Sequence, residues 1–574
     1  MDCRTRIVSD DYADLIVDFD LEEESLNNTA GDFCFYQIED NLRIFYANRE
    51  ELPKLSLSEY RYLYLPVCYG IMQSGDISED RSFNTSALEE TGILRVQRPP
   101  LALTGVGCIF ACIDTGINYT NPAFRRPDGS SRILAIWDQE NQEGTPPEGF
   151  LYGSEYRRGV INQALNSDNP MDIVPVRDIT GLHGTALASI AAGSNIDEGN
   201  TFLGAAPDAD IVVVKLKQAK PYLREYYMVP EGTPCYQETD ILTALNYVKG
   251  FAETFKRPVC ICMGLGTSYG DHGGNSLLEK YISRLNTLRN IAVVLPAGNE
   301  GNAGHHYRAV FNKNEGALIR NAEIRVGEGT SGFILEIWGS VPDFFRISVR
   351  SPGGEEIRDI SFRLNSTRVY DFVYSSTRII ADTLLVEQIS GQQLVVLHFE
   401  NPTPGIWTIE VRAEEVSTAA ICDMWLPIRQ FMSGDTYFLE PSPYITITAP
   451  GTGRYANCVA AYNGETGGLF QESGRGFTRE GGIKPDFAAP GVDIPSVVGR
   501  ISGTGAAAAL ATGAYLQFMQ WAVVEANSPL VNGVEIKNYF IRGARREEGL
   551  NWPNRELGYG KLDIYSTFEL LRRL

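Results

Sequence analysis

Long apolar runs are missing from this chain. Although 43% of its 574 residues are hydrophobic, no stretch approaches the roughly 20 consecutive apolar residues of a membrane-crossing helix. The opening MDCRTRIVSDDYADL lacks the basic end and apolar centre of a signal peptide, so folding in the compartment of synthesis is expected. Positive charge is scarce. Fifty Lys and Arg face 72 Asp and Glu, giving a formal charge of -22 and a pI near 4.8, and no dense basic stripe offsets it. That balance argues against nucleic acid as a partner. The ten cysteines follow no repeating frame, and no CxxC pair has a second matching pair, so no metal site is expected. Cys108 and Cys112 in GVGCIFACIDTG, like Cys260 and Cys262 in PVCICMG, read as small buried apolar residues. Reduced thiols in a reducing compartment are the expectation.

What the chain does have is length and a grammar that changes twice. At 574 residues it exceeds one small core and fits two to four domains, or one large domain with insertions. Residues 1–96 carry short apolar segments (YADLIVDF, FCFYQI, LRIFYA, YLYLPVCYG) and read as a small α+β unit, with Pro99 and Pro100 marking a boundary near Gln97. In 97–315, GVGCIFACIDTG, ADIVVVKLK, RPVCICMGLG and NIAVVLPAGN are continuous apolar strands ending in small or polar residues. Helical patterns such as HGTALASIAAG and ETDILTALNYVKGFAETF separate them. This alternation predicts an α/β fold whose parallel sheet is covered by helices on both faces, with its chemistry at the carboxyl ends of the strands. In 316–440, segments such as GFILEIWGS and QQLVVLHFENPTPG, divided by Gly, Pro and Asn turns, predict an inserted all-β sandwich. Strand patterns resume in 441–574 with YITITAPGTG and NCVAAYNG, and a long apolar helix begins near Gly505.

Three residues at strand or helix ends could carry chemistry, each with a plainer alternative. Asp114 in CIDTG ends a buried strand, where aspartate is usually a turn former or cap. His183 in GLHGTALASIAAG stands at a helix entrance, where a lone histidine is usually structural. Asn299 in LPAGNEGN could donate its amide into a cavity or simply form a turn.

Taken in order, CIDTG, HGT, GAAPDADIVVVKLK, CMGLG, AGNEGN, KPDFAAPGVDI and SGTGAAAA resemble the successive signature blocks of the subtilisin-like serine proteases. The resemblance covers residues 101–574 apart from the β insertion. It extends to the clostridial Csp germination proteases, which the chain resembles through SDDYADLIVDF, SALEETGILRVQ and the insert's position. The resemblance implies an N-terminal prodomain, a subtilisin-like core and an inserted jelly-roll. It implies Asp114 as the carboxylate that supports the base, His183 as the base and Asn299 as the oxyanion donor. Gly264, Leu265 and Gly266 would pair with an extended peptide, the glycines admitting its backbone. Calcium is common in the superfamily, but no cofactor is predicted and no calcium ligand is assigned.

One block departs from the family pattern. Where the nucleophile of a G-T-S-x-A turn belongs, this sequence reads Gly503, Thr504, Gly505, Ala506, Ala507. Three readings stay open: a displaced nucleophile at Ser502 or Thr504, an engineered Ser→Gly replacement, and a natural pseudoprotease. The third is favoured, with the junction near Gln97 left uncut. The resemblance then implies a non-catalytic signalling or scaffold protein, possible in spore germination and in the spore, whose partner would be an active sister subtilase, a protein substrate or a small-molecule germinant. The alternatives are a serine-type endopeptidase and a peptide-binding decoy of a sister protease.

Overall fold

The computed structural model describes residues 2–18, 32–39, 41–80, 82–197, 200–314, 318–361, 365–416 and 419–573. Its centre is an eight-stranded sheet in the order Phe487–Pro490, Asn457–Tyr462, Ile291–Pro296, Val259–Met263, Ile109–Asp114, Asp210–Lys215, Ile133–Asp138, Ser154–Arg157. All neighbours are parallel except the last pair. Every residue of Ile109–Asp114 is buried, as expected of a strand covered on both faces. Ile109, Ala111 and Ile113 point into one apolar layer, with helices Glu238–Phe255 and Leu277–Thr287. Phe110 and Cys112 point into the other, with helices His183–Ala192 and Thr504–Met519. Cys108, Cys260 and Cys262 enter the same second layer. Helix Thr504–Met519 is buried along its whole length, and its alanines let it lie close against those small thiols.

The all-β region is a sandwich around its own core. One sheet runs His306–Asn312, Ala419–Trp425, Gly332–Gly339, Gln393–Glu400, Arg378–Leu384, Ser366–Asp371, and the other Glu356–Ser361, Phe344–Arg350, Gly405–Glu415, Ile319–Val326, Tyr437–Phe438. The expected start at 316 lies outside the described residues. Strand His306–Asn312 already pairs with Ala419–Trp425, so the sandwich takes in residues N-terminal to that position. YITITAPGTG is not a strand: from it, only Ala449 bridges, to Thr267.

The N-terminal sheet, ordered Tyr12–Val17, Leu42–Asn48, Phe33–Glu39, shares an apolar layer with helix Glu238–Phe255. A polar knot fixes this docking. Buried Asp14 pairs with Lys220 Nζ at 2.6 Å, and its second oxygen accepts from Gln237 Nε2 at 2.6 Å. One expectation is overturned here, because Cys3 and Cys34 form a disulfide. Helix Cys3–Val8 packs on strand Phe33–Glu39 and brings together two residues separated by 31 positions, a proximity no local spacing announces. The other eight cysteines are free and buried.

Residues after 73 belong structurally with the core, although the Pro99–Pro100 punctuation points to a boundary near Gln97. Strand Ser74–Ser78 pairs with Gly499–Ser502, and helices Ser86–Glu90 and Ile93–Gln97 enter the second apolar layer of the central sheet.

Candidate active site

Strand Ile109–Asp114 delivers Asp114 at its carboxyl end, and the adjoining helix delivers His183 at its first position. Leu182, with φ 57°, turns the chain into that helix, a left-handed conformation uncommon for a non-glycine residue. His183 Nδ1 donates to Asp114 Oδ1 at 2.7 Å, both side chains being fully buried. Because the carboxylate accepts, Nδ1 carries a proton, and Nε2 has no hydrogen-bond partner. A second layer holds this pair. Thr115 Oγ1 donates to Asp178 Oδ1 and accepts from Gly184 N, while Thr185 N and Oγ1 donate to Asp178 Oδ2. Burial raises the Asp178 carboxyl, and the bonds from Thr185 and Thr115 oppose the rise.

Helix Thr504–Met519 aims its N-terminus at the same point. Gly503, φ 136°, makes the preceding turn. Asn299 Oδ1 accepts from Thr504 N at 3.0 Å and Oγ1 at 2.9 Å, which leaves its Nδ2 without a partner, and a Cβ built on Gly503 would lie 3.1 Å from it. Gly505 faces His183, and a Cβ built on it would lie 3.2 Å from Nε2. Neither nearby hydroxyl reaches the histidine. Thr504 Oγ1 is committed to Asn299 and Gly298, and Ser502 Oγ accepts from Asp493 N at 2.9 Å.

The groove is filled by the chain itself. Cys68–Ile71 is the middle strand of a small antiparallel sheet between Tyr236–Gln237 and Leu265–Gly266. Met72 N donates to Gly264 O at 2.7 Å, and Gly505 N donates to Met72 O at 3.1 Å. The Met72 carbonyl therefore lies beside Gly505, His183 and Asn299, where a scissile carbonyl would be attacked. A roof crosses the strand from outside. Gln430 Nε2 donates to Ile71 O, and a Cβ on Gly70 would meet Ile428 Cδ1 at 2.5 Å and Gln430 Oε1 at 2.9 Å. The Arg429 backbone N–H anchors the roof to Glu300 Oε1 at 3.1 Å.

Residues 105–321 match the Subtilase family. The structure of the Clostridium perfringens CspB protease is similar at 31% sequence identity and TM-score 0.75, over 86% of this chain and 100% of that one. The chain belongs to the subtilase family. Within it, the match to CspB places this subtilase with the Csp group. Weaker likenesses include the epidermin leader peptide processing serine protease of Staphylococcus aureus (12% identity, TM-score 0.42, 98% of this chain and 99% of that one). Another is MycP1 of Mycobacterium smegmatis (14%, TM-score 0.36, 87% and 89%). No curated protein matches the chain.

In this subtilase Asp114, His183, Asn299 and Gly505 converge on one point, and Gly264, Leu265 and Gly266 run alongside Gly70, Ile71 and Met72. The two glycines do different work. A Cβ at Gly266 would meet Thr448 Oγ1 at 2.5 Å before Met72 Sδ at 3.1 Å, so its absence serves the packing of Thr448 as well as the neighbouring strand, whereas one at Gly264 would strike Leu187 Cδ1 at 2.4 Å, the His183 ring at 2.6 Å and Asp114 Oδ2 at 2.8 Å. Sequence reasoning missed Asp178, Thr115 and Thr185. RDITGLHGT carried a signal, since an aspartate shortly before a helix start is a capping residue. It also missed the strand Cys68–Ile71 and the roof at 428–431, which no motif marks. Among the described residues no group of three or more His, Cys, Asp or Glu is arranged to hold a metal ion, and none of the helices described is long and apolar enough to cross a membrane.

Proposed function

We propose that this subtilase is a pseudoprotease that keeps its own uncut N-terminal segment in its groove and acts as a signalling or scaffold protein. The observation that carries the reading is the pairing of Gly505 with the Met72 carbonyl. A peptide group stands in the position for attack, an oriented base stands beside it, and the residue between them has no hydroxyl. Without one, no acyl-enzyme forms and His183 has no proton to take. In subtilisin, a relative and a worked case among serine proteases, loss of the serine lowers turnover about 10⁶-fold.

The likeness to CspB supports a setting in spore germination, with an active sister subtilase or a protein substrate as partner. The pairing of strand Cys68–Ile71 favours this reading over a decoy that takes a partner's peptide, because the groove is already occupied. Two measurements test it on the full chain. Purified protein should have the intact mass of 63.4 kDa and should take no label from a fluorophosphonate probe. Labelling at Ser502, or spontaneous scission at Met72–Gln73, returns the chain to the endopeptidases.

A further inference from the structure

A cavity of about 940 Å³ opens where the N-terminal sheet, the core and the β-sandwich meet. Pockets of this size at domain junctions are common ligand sites. The N-terminal unit contributes 11–13, 48–50 and 52–55, the core contributes the turn around Tyr226, and the sandwich contributes neighbouring strands through Ile380, Asp382, His398 and Glu400. Asp382 and His398 stand diagonally on one sheet face, Ile380 being opposite His398.

The floor of this cavity holds two acceptors with no donor between them. Asp382 and His398 are only 1% and 5% exposed, and Asp382 Oδ2 lies 3.8 Å from His398 Nε2. Thr367 Oγ1 donates to Asp382 Oδ1, the Leu57 backbone N–H also bonds this carboxyl, and burial raises it to about 6. The Tyr226 carbonyl accepts from the His398 ring, while Nε2 has no hydrogen-bond partner. Burial holds the imidazole down, to about 4, so at neutral pH Nε2 is a lone pair facing a carboxylate. A nitrogen with two or more N–H groups, brought between the two atoms from the cavity, would satisfy both at roughly 2.8 Å. The surroundings select its charge. Asp11, Glu50, Glu225 and Glu400 line the walls, against only Arg49 and Lys54. Arg49 is already engaged, donating to the Asp10 carbonyl at 3.4 Å and lying 5.5 Å over the Tyr222 ring. The Tyr226 ring, edge-on to His398 at 4.8 Å, and Leu52 offer apolar surface to the rest of such a ligand.

We propose that this three-way cavity binds a small organic ammonium ion, its head group between Asp382 and His398 and its apolar body against Tyr226 and Leu52. The site is separate from the groove and does not depend on the reading of Gly505. A ligand there touches all three units at once, so its binding free energy favours the arrangement in which they are docked.

The test uses the full chain labelled with ¹⁵N-histidine, whose five histidines give few resonances. Phenethylamine is the probe, cadaverine a second amine and 2-phenylethanol the neutral control. Both amines should move the His398 resonance, assigned through His398→Gln, and leave His183 in place, while the alcohol moves neither. Asp382→Asn should weaken phenethylamine binding by about tenfold or more, the loss of a charge-assisted bond. Glu225→Gln, an exposed change that leaves the core intact, should weaken it about two- to threefold and reduce its salt dependence. The proposal fails if millimolar amine leaves His398 unmoved, if the alcohol acts equally, or if neither substitution weakens binding, in which case only water bridges the two acceptors.

Discussion

Replacing Gly505 with serine should make the chain cut itself once, between Met72 and Gln73. The geometry sets both the gain and the strain. A Cβ at 505 stands 3.2 Å from His183 Nε2 but only 2.8 Å from the Met72 carbonyl oxygen. A hydroxyl added there can reach the base, yet the carbonyl must retreat by a few tenths of an ångström. Such overpacking costs about 1–3 kcal/mol, and part of the Gly505 N–H bond to Met72, worth about 0.5–1.5 kcal/mol, is lost with it. Against this stands the roughly 10⁶-fold, about 8 kcal/mol, that a serine supplies in subtilisin. Several kcal/mol of net advantage remain, enough to turn an inert bond into one cleaved during expression. Gly505→Ala separates the two effects, since it carries the same Cβ without the hydroxyl. It should lower the melting temperature slightly and leave the chain whole. The assay is intact mass with N-terminal sequencing of the larger fragment, which should begin at Gln73. Adding His183→Ala to the serine variant should abolish the cut. A serine variant that stays whole, or one cut near Gln97 instead, refutes the placement of Met72 at the reacting position.

Other consequences can be measured independently. Lys220→Met strands the buried Asp14 carboxylate and should destabilise docking of the N-terminal sheet by about 3–5 kcal/mol, read as a lower melting temperature and faster protease cleavage near Met72. Gly70→Val drives side-chain atoms into Ile428 and Gln430 and should speed amide exchange across 428–431, whereas Gly159→Ala, where a Cβ meets nothing, should leave that exchange unchanged. Burial raises the Glu238 carboxyl from 4.5 to about 7, against bonds from Val67 N and Leu278 N. Because the folded state holds this proton more tightly, stability should fall by about 3 kcal/mol as pH rises from 4.5 through 7, and Glu238→Gln should flatten that slope in a series of thermal melts.

How far the sequence could be read depended on the range of the interactions involved. Strands such as Ile109–Asp114 and Val259–Met263 were legible because burial on both faces demands an unbroken apolar run, and that demand is local. Asp114, His183, Asn299 and Gly505 were legible because each lies within a short motif. The strand Cys68–Ile71 was not, since YLYLPVCYG looks like any apolar segment until Tyr236–Gln237 and Leu265–Gly266 pair with it on either side. The Cys3–Cys34 disulfide and the Asp14–Lys220 knot were hidden for the same reason, their partners being distant in the chain. Pro99–Pro100 marks a turn without saying which core the flanking helices join, and helices Ser86–Glu90 and Ile93–Gln97 pack with the central sheet. YITITAPGTG has strand composition, yet its residues spend their hydrogen bonds on separate loops.

The roof over Gly70 also bears on the order in which the molecule can be made. Its layers appear in the growing chain in sequence, the occupying strand first at 68–72, the groove edge next at 264–266 and the covering segment last at 428–431. Synthesis from the N-terminus therefore lays the strand down before the cover exists. A core folded alone, with the N-terminal unit supplied afterwards, would have to thread an extended peptide beneath Ile428 and Gln430 between two strands already in position. This protein is built to be assembled as one chain, and its two halves, produced apart and mixed, should recover the native state slowly if at all.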